Sequence, residues 1–60
     1  SLMKQYDFYE VRNDVDDPQP TQCWTLEQVG GHIKRRRPEG AMVFGIDYEG
    51  GETYLGWCAY

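Results

Sequence analysis

A chain of 60 residues is one domain at most, and a domain so small buries only about 60% of the surface its unfolded chain exposes. That excludes a deep cleft walled by a large core and makes self-association a natural route to further burial. The net charge of −4 disfavours phosphate backbones as partners at long range, and five Tyr, two Trp and two Phe argue against intrinsic disorder.

Residues 4–13, KQYDFYEVRN, are rich in Tyr, Phe and Val and lack Gly and Pro, which predicts a strand. Tyr6 and Phe8 fall on one face, Tyr9 and Val11 nearly so on the other. Residues 14–22, DVDDPQPTQ, hold two prolines and three acids without periodicity and read as a solvated loop.

The next segment, CWTLEQVGGHIKRRRPEG, predicts a helix. Thr25 suits the N-cap and Gln28 stands three residues later, as in a capping box. Trp24 and Val29 have the spacing of a hydrophobic staple. Leu26, Val29, Gly30 and Ile33 form one apolar stripe, and Pro38 and Gly40 stop the helix. Two interior glycines cost roughly 2 kcal/mol relative to alanines. Gly30 lies on the stripe, so it is expected to let the helix approach a sheet closely; Gly31 has no such role.

The final segment, AMVFGIDYEGGETYLGWCAY, reads as two strands around a Gly50-Gly51 turn. That turn pairs Ile46 with Leu55, Phe44 with Trp57 and Met42 with Ala59 on one apolar face, the expected seat of the helix. The other face receives Asp47 with Tyr54, Gly45 with Gly56, Val43 with Cys58 and Ala41 with Tyr60. Glu49 and Glu52 would face each other across the turn. The predicted fold is α+β, a two-layer β-α-β-β sandwich with one helix on a three-stranded sheet and a C-terminal hairpin. If the first two strands pair in parallel, the crossover is right-handed.

Four of the six basic residues are consecutive, Lys34 to Arg37. Their place at the end of the helix is reason enough for them, because positive charge there complements the dipole and the free carbonyls. Lys34, Arg35 and Arg36 fan out to different sides at 100° per residue. They remain a candidate anion-binding group.

No catalytic set is visible. His32, the single histidine, lies off the stripe, and Cys23, His32 and Cys58 lack metal-site spacing. Neither glycine pair belongs to a phosphate loop. We therefore expect no enzyme activity, no metal and no cofactor. The two cysteines are fewer than a disulfide-stapled secreted domain carries, and neither a signal peptide nor a membrane-length apolar run is present. The expectation is a cytoplasmic setting, no membrane association and free thiols. Ser1 and Leu2, ahead of Met3, read as a cloning remnant, which places a single domain at 3–60.

One helix covers one sheet face. The other face, carrying Tyr9, Val11, Val43, Tyr54, Cys58 and Tyr60, is expected to be an open interaction surface, with a bare trough at Gly45 and Gly56. The leading expectation is a small acidic protein-interaction or regulatory module that forms a homodimer through this face or meets a basic protein surface. The alternative is a nucleic-acid-binding module, with Lys34 to Arg37 on phosphates and the tyrosines under bases, although the net charge makes nucleic acid an unfavoured partner.

Overall fold

The computed structural model describes residues 5–60. The expected strand start at Lys4 and the reading of Ser1 and Leu2 as a remnant lie outside the described residues. The fold is α+β, with elements β1 (Phe8–Arg12), β2 (Thr21–Cys23), α1 (Leu26–Arg36), β3 (Ala41–Ile46) and β4 (Glu52–Cys58). The strands form one four-stranded sheet in the order β2-β1-β3-β4. Every neighbouring pair is antiparallel. The sheet therefore has one strand more than expected: the end of the proline-rich loop folds back on β1 as a three-residue strand. Because β2 reverses the chain before the helix, β1 and β3 meet antiparallel and no parallel crossover arises.

The helix starts as its sequence dictates. Thr25 Oγ1 accepts a hydrogen bond from Gln28 N at 3.1 Å, and Gln28 Oε1 accepts one from Trp24 N at 2.7 Å. The box thus reaches one residue further back than its usual form. The Trp24 ring packs edge-on against Phe8, with centroids 5.8 Å apart. Only Val29 and Ile33 are buried on α1, while Leu26 is exposed. A Cβ at Gly30 would have nothing within 4 Å, so Gly30 does not serve a close approach to the sheet.

The helix packs on the face of the sheet opposite to the expected one. Beneath it lie Val11, Cys23, Ala41 and Val43, with Tyr9 packed against them. Val11 pairs with Val43 and Tyr9 with Cys23 across neighbouring strands. These small or β-branched side chains make a level seat for a helix that buries only two side chains of its own. Gly45, expected at the floor of a bare trough, is buried beneath Tyr6. An added Cβ there would come within 2.8 Å of the Tyr6 ring.

The hairpin turn explains the rest of the difference. Gly50-Gly51 is not the turn. Asp47 N donates to Gly51 O at 2.9 Å and Gly50 N donates to Asp47 O at 3.0 Å, which leaves a three-residue loop of Tyr48, Glu49 and Gly50. Asp47 Oδ1 accepts from Glu49 N at 2.9 Å and Gly51 N at 2.8 Å, and Gly50 takes φ 86°, the left-handed residue such a loop requires. Tyr54 now sits opposite Phe44 rather than Asp47, and Glu52 opposite Ile46. An irregularity between Val43 and Phe44 then shifts the ladder by one residue, so that Gly56 pairs with Val43, Trp57 with Met42 and Cys58 with Ala41. Leu55 is the extra residue of the resulting bulge.

Candidate interaction surface

The face away from the helix is not an open apolar trough. Phe44 and Ile46 are buried there, and Arg12 covers Phe44. Its guanidinium carbon lies 4.0 Å from the Phe44 ring centroid. Arg12 Nε and Nη2 both donate to Glu10 Oε1, at 2.9 and 2.6 Å, and Nη1 donates to Val15 O at 3.1 Å. Nη2 also pairs with Glu52 Oε2 at 3.0 Å. Arg12 is 7% exposed, so a cation lies in a nearly closed layer with both carboxylates and a carbonyl around it. The hydrogen bond to Glu52 raises its pKa against the opposing effect of burial, and Glu10 adds to the rise. Glu52 therefore turns to Arg12 instead of facing Glu49.

The residues expected on one open face are divided. Val11 and Val43 are core residues beneath the helix and cannot line an exposed surface. Tyr9 is on the same side, half-buried, with its ring edge-on to Tyr6 at 5.9 Å. Tyr54 lies on the opposite face, against Phe44 at 5.3 Å. Cys58 is exposed opposite Ala41. Tyr60 is beyond the last strand, its ring 5.1 Å from Lys34 Nζ. The tyrosines therefore do not form one stacking platform beside the basic run. Lys34, Arg35 and Arg36 are exposed on the last turn of α1, and no ion pair joins them to a described acid.

What the fold does leave unfinished is β4. It ends the strand order, so one side of it has no neighbouring strand among the described residues. All its residues are exposed except the half-buried Gly56. Tyr54 is 51%, Leu55 42% and Trp57 58% exposed. Tyr54 and Trp57 share a face, since their partners Phe44 and Met42 do. The Trp57 indole lies over Gly40 at the entry to β3. Leu55 and Trp57 had been expected in the core beneath the helix. The helix instead packs against β1 and β2, at the other side of the sheet, and leaves β4 bare. The opposite edge, β2, is only three residues long and follows Pro18 and Pro20, a composition that blunts pairing. β4 contains neither proline nor lysine.

A shallow hollow of about 290 Å³ lies between Tyr9, Trp24 and the first turn of α1, Thr25 to Glu27. Of its two lining hydroxyls, that of Thr25 already caps the helix. Among the described residues no three His, Cys, Asp or Glu side chains are grouped to hold a metal ion. No described helix is long and apolar enough to cross a membrane. Cys23 is buried, which pushes its thiol pKa up.

No family model, no curated protein and no solved structure matches this chain.

Proposed function

We propose that this domain is a non-catalytic protein-interaction module that binds another polypeptide along β4. One observation carries the reading: a seven-residue edge strand, exposed on both faces, holds Tyr54, Leu55 and Trp57 in the open. Unpaired peptide groups along such an edge accept an additional strand, and neighbouring side chains select it. Exposed Trp and Tyr are the anchors most often found at the centre of protein interfaces. The acidic composition is compatible with this role. A base-stacking role draws no support from tyrosines split between two faces.

The experiment is photocrosslinking in the native host from a reactive residue placed at Leu55, with the same residue at Gln22 as control. Gln22 is exposed on the opposite edge strand. A crosslink from position 55 to a polypeptide, a copy of this chain included, with none from position 22, is the expected result. No crosslink from position 55 removes the proposal.

A further inference from the structure

Opposite charges flank the free edge of β4 at its two ends. At its start stands the hairpin loop with Asp47 and Glu49, and Glu52 opens the strand itself. At its finish Tyr60 N donates to Pro38 O at 3.1 Å, and Lys34 Nζ sits 5.1 Å from the Tyr60 ring. The basic last turn of α1 is thereby held beside the end of the strand. The two ends are roughly 20 Å apart, at about 3.3 Å per residue. Asp47 spends one carboxylate oxygen on its own turn and Glu52 is paired with Arg12. Glu49 and Lys34 have no ion pair with a described residue.

A strand laid antiparallel to a copy of itself puts its start beside the copy's finish, and a two-fold axis makes the match twice. We infer that the occupant of the β4 edge is β4 of a second copy, which joins two four-stranded sheets into a continuous one of eight. This rests on the reading of β4 as the interaction surface. Glu49 of each copy then lies toward Lys34 of the other, so the local charges attract although each chain carries a net −4. A simple basic peptide would satisfy the acidic end and leave the basic end unmatched. With the axis at the bulge, between Leu55 and Gly56, Tyr54 of one copy stands across from Trp57 of the other. Both are on the face away from the helix, and a two-fold axis normal to the sheet keeps them there. Aromatic pairs of this kind stabilise antiparallel neighbours. The bulge, which divides β4, falls at the axis and leaves a regular segment on each side to pair with its opposite number.

The test is solution mass by light scattering at increasing concentration. The variants are Leu55→Lys, Glu49→Lys, Lys34→Glu and the double reversal of Glu49 and Lys34. The parent is expected at twice the 7.0 kDa chain mass. Leu55→Lys places two like charges at the axis and is expected to give a monomer with an unchanged circular dichroism spectrum. Each single reversal weakens association roughly tenfold, because symmetry counts a modest rim contact twice, and the double reversal restores it. A parent that stays monomeric near millimolar concentration overturns the inference. So does a dimer that tolerates Leu55→Lys, or a double reversal no tighter than the singles. If Leu55→Lys fails to fold, the charge reversals still decide. A monomer that crosslinks through position 55 to a different protein refutes the second copy alone; a monomer with no such crosslink refutes the interaction surface as well.

Discussion

The guanidinium of Arg12 lies across the ring of Phe44, 4.0 Å from its centroid, with Glu10 and Glu52 on its nitrogens. A thin sheet with a helix on one side needs a second layer on the other, and here that layer is an arginine and its carboxylates. The long stem of Arg12 covers apolar surface while its head remains hydrogen-bonded.

Arg12→Ala therefore removes packing, a cation–π contact and the partner of a partly buried carboxylate at once. Truncating one member of a fully buried pair costs about 3–5 kcal/mol; with Glu10 and Glu52 20% and 54% exposed, about 1–3 kcal/mol is expected here. A domain of this size holds about 3–9 kcal/mol in total, at 0.05–0.15 kcal/mol per residue. Urea unfolding should show Arg12→Ala losing about 1–3 kcal/mol, a large share of that total. A loss under about 1 kcal/mol would mean that water replaces Arg12 without penalty.

Gly30→Ala should stabilise the fold. The position is exposed and helical, and the added methyl meets nothing. The gain is about 0.8–1 kcal/mol, or about 4–8 °C in Tm for so small a domain. Gly31→Ala should give less, because its Cβ would come 3.0 Å from Arg35 Nη1 and the arginine would have to move. Paired thermal melts of the two variants check both the sign and the order.

Four of the five elements were legible in the sequence because they are written locally, whereas β2 fell partly within the stretch read as a loop. Thr25 and Gln28 mark a helix start by their own hydrogen bonds, and prolines and glycines mark the breaks. The sheet faces were not legible, for two identifiable reasons. The unbroken apolar run Ala41–Ile46 belongs to a strand covered on both sides, so alternation within the hairpin could not say which side takes the helix. Moving the turn from Gly50-Gly51 to Tyr48–Gly50 also reverses the face of Tyr54, and this move depends on the Asp47 carboxylate. Of the surface residues named from sequence, Val11 and Val43 went into the core on that account. Arg12 was missed, yet Glu10 and Arg12 are two apart on a strand and so share a face, which is a readable signal for an ion pair. A glycine inside a strand marks a bulge, and Gly56, at φ 134°, is the local signal for the one that exposes Leu55.

His32 should titrate below the ordinary value of about 6.5. Burial is the first cause, followed by repulsion from Arg37, Arg35 and Arg36. A histidine depressed in the folded state binds more protons when unfolded, so stability rises with pH through this range. The contribution is full above the unfolded pKa and is lost as pH falls through the lower, folded one. An NMR titration of the imidazole gives the midpoint directly. Arg37→Gln should raise it in part, leaving the contribution of burial; a midpoint at or above 6.5 in the parent contradicts this account.

Cys23 and Cys58 should behave as two unlike thiols. They lie on the two edge strands, three interstrand steps apart, or at least roughly 14 Å at about 4.8 Å per step. A disulfide needs Cα atoms within about 7 Å, so the folded chain cannot close one between them. Cys23 is 5% exposed and burial raises its pKa, which lowers the thiolate fraction that reacts. Cys58 is exposed on β4. A disulfide-exchange reagent should therefore titrate one thiol quickly and the second only as the chain unfolds. Cys58→Ser should abolish the fast phase and leave the slow one. Under mild oxidation the parent should form covalent species between chains, through Cys58, and no product bridged within one chain. Two thiols reacting at the same rate would show that Cys23 is not buried, and an intrachain bridge in the folded protein would show that β2 and β4 are not the opposite edges of this sheet.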